Sequence, residues 1–309
     1  MDLTREQFLS LGAAEVARIV SSVGRPRVGA YASDGNRRVF KLFRGYTFTV
    51  EQDWSSLLAS ITTPVRLEMF FAHGIQTMIV PIFAHGNLER LHDAITQYVK
   101  PALDEVITGP RWLDFYRRYQ IRVRFYGDVM LLQQRGYDGL GEAIDHLQWA
   151  TAEHTRHLLL FGIACSNVFE LPRLVGMGAD FAAAHGRKPT RAELIDAYYG
   201  VPVDDVEFFM RATAVRDSDL QPLLVSGPRT QLYFPVAPDF IGLTPTVLKT
   251  ILYDLIYCRD VTLGRRQYTL QDLTDSEASE LRAFYVRNRE RVLGIGRRIG
   301  SFWVPASAD

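Results

Sequence analysis

Runs of apolar, strand-forming residues alternate along this chain with stretches whose apolar residues recur at helical spacing, and that alternation is what most restricts the fold. Arg27–Ser33 reads as a strand, a polar loop and a helical stretch from about Val50 to Phe71 follow, and after Gly74 the apolar run Thr77–Phe83 reads as the next strand. The pattern continues through a helix from Leu88 to about Ile107, a strand Arg122–Tyr126, a helix near Leu140–Thr151, a strand His157–Ala164 and helices at Asn167–His185 and Arg191–Tyr198. Val206–Met210 and Gln231–Val236 add two strands, and Thr244-Pro245 opens a helix expected to reach about Arg259, with threonine as the cap and proline at the first helical position. Strands joined through helices in this order predict an α/β fold: a mostly parallel central sheet, right-handed crossovers, and helices on both faces.

Smaller signals fill in the ends. Thr4 and Gln7 form a capping box ahead of Phe8, Leu11, Val16 and Val20, which predicts one short opening helix ended by Gly24 and Pro26. Pro64 should kink or split the helix that contains it. No repeat, low-complexity tract or Ser/Gly linker divides the 309 residues, so one domain is expected over 1–309, with a core at about 27–260 and a peripheral helical tail at 270–309. With 47% hydrophobic residues the chain can bury a core without disulfide or metal staples.

Charge excludes several partners. Lysine plus arginine number 35 and aspartate plus glutamate number 35, so no overall field recruits nucleic acid or an acidic membrane, and any anion site must be local. No apolar run reaches bilayer length, which argues against stable membrane insertion. The first ten residues lack a signal pattern and Cys165 and Cys258 are the only cysteines, which predicts a reducing cytoplasm.

In open α/β sheets ligands sit beyond the carboxyl ends of the strands, so the polar groups that follow predicted strands carry the functional reading. Asp34-Gly35-Asn36-Arg37-Arg38 puts a carboxylate, a permissive glycine, an amide and two guanidinium groups within five residues. A solvated turn is one reading; a magnesium diphosphate site is the other, because arginine forks grip phosphate oxygens and a hard carboxylate suits magnesium. Phe83-Ala84-His85-Gly86-Asn87, Arg124-Phe125-Tyr126-Gly127-Asp128, and Gly162 running into Asn167 are weaker junctions. Asn87 doubles as a helix cap, Gly127-Asp128 as a strand stop, and His85 as an ordinary loop histidine. Phe83, Tyr126 and Tyr233 fall at predicted strand ends, which makes them candidates for an apolar, aromatic pocket.

The order of these pieces resembles the cis-prenyltransferases related to undecaprenyl diphosphate synthase. Asp34, Gly35, Asn36 and Arg38 match that family's first-strand motif, in which the aspartate binds magnesium and the arginine diphosphate. Phe83 and Asn87 match its Phe-Ser-x-x-Asn loop with Ala84 for serine, Arg124, Phe125, Gly127 and Asp128 match its Arg-Phe-x-Gly-Asp strand end, and Leu232-Tyr233-Phe234 match its Glu-Leu-Tyr-Phe without the glutamate. The matches run from about Arg27 to Arg259.

The departures bear on function. Chain-elongating members hold isopentenyl diphosphate with an Arg-Thr-Ser-Gly-Glu-x-Arg-x-Ser stretch and a downstream magnesium glutamate; here only Arg216-Asp217-Ser218 and, in the glutamate's place, Gln231 remain. A neutral amide is a poorer magnesium ligand, so the second-substrate site reads as dismantled.

A narrower resemblance accommodates those losses. Asp34-Gly35-x-Arg37-Arg38, His73-Gly74-Ile75, Pro81-Ile82-Phe83, Glu153-His154, Ser226-Gly227 and Ile251-Leu252-Tyr253-Asp254 are similar to the tuberculosinol synthase and tuberculosinyl-adenosine transferase group and its kolavelool-forming relatives. That resemblance implies a diterpene synthase that ionises a bicyclic diterpenyl diphosphate with Mg2+, water capturing the allylic cation to give an alcohol. Transfer to a nucleoside such as adenosine, chain elongation, and a non-catalytic prenyl-diphosphate-binding subunit are the alternatives. It assigns catalysis to Asp34, Arg37 and Arg38, with Asp34 on the metal, and substrate contacts to Gly35, Asn36, Phe83, Asn87, Tyr126, Arg216, Ser218 and Tyr233. The group's reactive tyrosine is matched by Tyr46 or, as an aromatic replacement, by Trp54. A homodimer is implied by the same resemblance.

Overall fold

A computed structural model describes residues 3–23, 28–33, 64–82, 84–85, 99–212, 215, 220–237, 242–259, 274–300 and 302–306. Among them six strands form one sheet: β1 (Val28–Ala32), β2 (Thr77–Pro81), β3 (Ile121–Gly127), β4 (His157–Ile163), β5 (Phe208–Arg211) and β6 (Gln231–Tyr233). They lie in the order β3-β4-β2-β1-β5-β6, every pairing parallel, so all six carboxyl ends face one edge. The expected parallel α/β sheet is what forms.

Its strands are apolar on both sides because both faces are covered. Successive side chains divide between two cores: Met78, Leu159, Phe161, Phe208 and Met210 enter one, while Ile79, Leu160 and Phe209, the residues between them, enter the other. The first core is closed by α1 (Arg5–Ser10), α2 (Ala13–Ser22), α3 (Val65–Ala72), α4 (Lys100–Thr108), α5 (Pro110–Tyr119), α6 (Val129–Gln134), α7 (Leu140–Ala150) and a C-terminal helix, α10 (Pro245–Tyr253). The second lies under α8 (Asn167–His185), through Leu174, and α9 (Arg191–Tyr199), through Ile195, Tyr198 and Tyr199.

Several elements differ from the sequence expectation. The opening helix is two helices, because Gly12 takes extended backbone and caps α2, its N–H donating to the Glu15 carboxylate at 3.0 Å. The five-residue step from Leu11 to Val16 already breaks helical period. Capping by Thr4 and Gln7 is as expected, and α3 starts directly after Pro64. The first part of the predicted 50–71 helical stretch, through residue 63, and the start of the 88–107 helix lie outside the described residues. Sequence periodicity missed α5, whose aromatic and arginine-rich turns start at the same Gly109 that ends α4, and α6, too short at six residues to show a period. The tail is not wholly helical. After α11 (Asp275–Asn288), which buries no side chain, it turns into an antiparallel hairpin of β7 (Gly296–Ile299) and β8 (Phe302–Pro305).

His157, the first residue of β4, is only 7% exposed and its ring lies 4.5 Å from that of Phe71. Burial, with the charge of Arg156, lowers its pKa to about 4, against the pull of the Ile75 and Gln76 backbone. Neither ring nitrogen has a hydrogen-bond partner of good geometry. Because the folded pKa lies below the unfolded value of about 6.5, the unfolded chain binds the extra proton, and stability falls as pH drops from 6.5 towards 4. After allowance for partial solvent screening the loss is about 2 kcal/mol. Burial also lowers His73, which contributes to the same limb. Denaturant titrations at pH 7 and pH 4.5 should therefore show a smaller acid penalty for His157→Gln than for the native chain; equal penalties would remove His157 as a cause.

Candidate active site

Connections leave β1 and β5 in opposite directions, towards β2 on one side and β6 on the other, which opens a crevice between the two carboxyl ends. Ala32, two residues before Asp34 in the chain, stands in register with Arg211, the last residue of β5. Arg211 is 7% exposed. A guanidinium buried at the end of β5, beside this switch point, is of the residue type that suits phosphate oxygens, and sequence reasoning overlooked it. The signal available was a charged residue closing the otherwise apolar Phe208-Phe209-Met210.

Beyond the crevice, the ends of β2, β3 and β4 are laced together. The Ile82 N–H donates to the Gly162 carbonyl at 2.9 Å, the His85 N–H to the Cys165 carbonyl at 3.2 Å, and the Asp128 N–H to the Ile163 carbonyl at 2.8 Å. The His85 ring stacks on Phe169 of α8. Asp128 caps α6, its carboxylate accepting from the Leu131 N–H at 3.0 Å. Ala164, just past β4, takes left-handed backbone at φ 48°, a strain typical of shaped sites. Gly127 has φ 91°, and a Cβ there would lie 2.1 Å from the Ile163 carbonyl oxygen. Gly127→Ala should cost roughly 2–4 kcal/mol of stability, the sum of backbone strain and a clash that only main chain can relieve. Thermal denaturation reads this directly, and an unchanged midpoint would mean that this edge yields freely.

Of the residues assigned catalytic, metal-binding or substrate-contact roles from sequence, Tyr126 and Tyr233 are described. Tyr126 lies in the second core, its ring 5.1 Å from Tyr199 and 5.7 Å from Tyr198. Burial raises its pKa well above the usual phenol range. Beside it the Tyr198 hydroxyl donates to the buried carboxylate of Glu170, whose own pKa is raised by burial, and Arg173 Nη1 donates to the Gly127 carbonyl. Tyr233 is half-buried at the end of β6, where its hydroxyl donates to Asp254 at 2.5 Å; burial and that carboxylate raise its pKa. Two of the sequence motifs thereby meet, Leu232-Tyr233-Phe234 on the sheet and Tyr253-Asp254 at the π-helical turn (Asp254–Cys258) that follows α10. Arg259 completes the cluster, Nε donating to Asp254 at 2.8 Å and Nη1 to the Gln231 side-chain oxygen. Gln231 opens β6 opposite Phe208, which also pairs with Gly29. It therefore stands three residues, about 10 Å, short of the carboxyl end of β1 at Ala32. Asp34, Gly35, Asn36, Arg37, Arg38, Tyr46, Trp54, Phe83, Asn87, Arg216 and Ser218 lie outside the described residues.

Among the described residues no three His, Cys, Asp or Glu side chains converge as a metal site. Magnesium does not demand one, since it is commonly held by one or two carboxylates together with substrate phosphate and water.

The chain is 33% identical over 308 residues to tuberculosinyl adenosine transferase of Mycobacterium tuberculosis, an alignment covering 97% of this chain and 98% of that protein. It belongs to the cis-prenyltransferase-like diterpene enzymes. A second member of that family, (+)-kolavelool synthase of Herpetosiphon aurantiacus, is 25% identical over 246 residues, 79% of this chain and 78% of that one. Two cis-prenyltransferase crystal structures share the fold. Lavandulyl diphosphate synthase from Lavandula x intermedia, with dimethylallyl diphosphate, superposes with a TM-score of 0.56 at 15% identity over 80% of this chain and 98% of that one. A probable undecaprenyl diphosphate synthase from Campylobacter jejuni gives 0.53 at 19% identity over the same shares. A search of protein-family models finds no match. Like its synthase and transferase relatives, this diterpene-family chain is an enzyme. None of its described helices is long and apolar enough to cross a membrane.

Proposed function

We propose that the protein ionises a bicyclic diterpenyl diphosphate, releases diphosphate, and lets water capture the allylic cation to give a diterpene alcohol. The observation that carries this reading is that the sequence Asp34-Gly35-Asn36-Arg37-Arg38 follows, two residues on in the chain, the end of β1, which pairs with Arg211 of β5. Three guanidinium groups there would take up the charge that builds on the departing diphosphate, and a preorganised set of this kind acts mainly by stabilising separated charge. Magnesium bound to Asp34 and the substrate phosphates would add Lewis-acid neutralisation of the same charge. The chain's own task is to hold the diphosphate while an apolar pocket shelters the cation from premature quenching. Phe83 and Asn87 after β2, Tyr46 or Trp54 downstream of the double arginine, and Arg216 and Ser218 after β5 complete the assignment. A homodimer in the cytoplasm is part of the same reading.

Transfer to adenosine is the second reading, favoured by the name of the relative that aligns over nearly the whole chain. Purified protein incubated with magnesium and labdane- or clerodane-type diphosphates, with and without adenosine, should release inorganic diphosphate and an extractable alcohol in both arms. A diterpenyl nucleoside formed only in the adenosine arm would move the assignment to the transferase, and no product from any cyclic diphosphate would overturn the proposal.

A further inference from the structure

From Arg282 to Arg298 the chain carries six arginines, Arg282, Arg287, Arg289, Arg291, Arg297 and Arg298, against one acid, Glu290. That is a local excess of five positive charges in a protein whose total is zero. Among the described residues only Arg289 of the six has an ion-pair partner, the neighbouring Glu290 at 3.5 Å, so these guanidinium groups are not committed to holding the fold. Interleaved with them are Phe284, Tyr285, Val286, Val292, Leu293 and Ile295, all exposed, Val286 at 67%, Val292 at 65% and Leu293 at 83%. α11 buries no side chain, and the turn that leads from it to β7 holds two adjacent aliphatic residues in water. Single apolar residues on a surface are ordinary, but so many in one short basic segment mark a surface that meets something.

The residue types indicate what it meets. Nucleic acid would engage the arginines and the two aromatic rings but has nothing to offer Val286, Val292, Leu293 and Ile295. A bilayer of anionic lipid offers phosphate to the guanidinium groups and the acyl boundary to the aliphatic side chains. Adsorption of this kind needs no spanning helix, only side chains that reach the headgroup region. The segment also lies towards the crevice. A Cβ built at Gly294 would stand 3.3 Å from Cγ1 of Val215, and Val215 follows the end of β5 by four residues. This contact ties the tail to the chain that leaves the carboxyl edge of the sheet.

We propose that residues 282–298 form a peripheral docking surface for an anionic phospholipid bilayer. A diphosphate that carries a diterpenyl group is itself an amphiphile of the bilayer, and docking here would bring the crevice to it. That last step rests on the proposed reaction; the docking does not.

The test uses the full chain and no substrate, so its outcome is separate from that of the reaction. In flotation with vesicles of phosphatidylcholine and phosphatidylglycerol at low salt, the protein should rise with the lipid, and it should stay behind with phosphatidylcholine alone or in about 1 M salt, where the Debye length is about 3 Å. Arg287→Gln, Arg289→Gln and Arg291→Gln combined should weaken binding roughly a hundredfold, about fivefold for each charge. Leu293→Ser should weaken it several-fold. Both variants should keep the native circular-dichroism spectrum and thermal midpoint, because the replaced side chains are already exposed. Failure of the native chain to float with phosphatidylglycerol vesicles at low salt overturns the proposal, and so does equal binding to phosphatidylcholine alone. Binding that both variants retain overturns it too, by placing the lipid contact on another surface. Without vesicle binding, a native dimer that both variants dissociate in sedimentation velocity would assign the segment to a second copy, and an electrophoretic shift of single-stranded RNA that the arginine variant loses would assign it to nucleic acid; either result overturns the bilayer assignment.

Discussion

Asp34→Asn should lower turnover by two to three orders of magnitude while the protein stays folded. The residue follows the end of β1 by two positions in the chain, and the crevice between the ends of β1 and β5 is where the diphosphate is proposed to ionise. An amide keeps the size and hydrogen-bonding reach of the carboxylate but removes its formal charge, and with it the hard ligand magnesium prefers. Loss of one preorganised electrostatic group costs about 3–4 kcal/mol in the transition state, or roughly a factor of 10²–10³ in kcat. Single-turnover release of inorganic diphosphate from the cyclic substrate measures the step itself. A rate within threefold of the native one would place the metal elsewhere and reduce Asp34 to a turn residue.

How much of the protein was legible in its sequence can be judged residue by residue. The parallel sheet was readable because β2 and β4 are continuous apolar runs and because the helices carry strong signals of their own, such as Thr244 before Pro245 in the one that follows the last strand. Tyr126 was harder. It sits at a strand end, which suggests a pocket, but it follows Phe125 by one residue, and the pleat sends it to the opposite core against Tyr198 and Tyr199. Glu170 and Tyr198 are 28 residues apart and meet only because α8 and α9 pack on each other. The tail hairpin carries Arg297 and Arg298 where an apolar alternation would have announced it. Of the proposed diphosphate site, the motif at 34–38 came from sequence and Arg211 from register.

Supplied with farnesyl or geranylgeranyl diphosphate and labelled isopentenyl diphosphate, the protein should put no label into longer prenyl chains. Elongation needs a second anion site, and what the chain retains for one is thin. Arg216 and Ser218 stand for the family's longer arginine and serine set, and Gln231 for a magnesium carboxylate. The structure adds two reasons. The Gln231 side-chain oxygen already accepts from Arg259, which is also bound to Asp254, so a cation at this position would compete with a fixed guanidinium. Gln231 also opens β6, about 10 Å short of the level at which β1 ends, and its side chain spans only part of that distance. Restoring charge with Gln231→Glu should therefore give Arg259 a second carboxylate to bind and still yield no elongation. Label in C25 or longer products from the native chain, with cyclic diphosphates left unreacted, would falsify the synthase reading and make this a chain-elongating enzyme. Label from Gln231→Glu alone would instead show that a single charge separates the two activities.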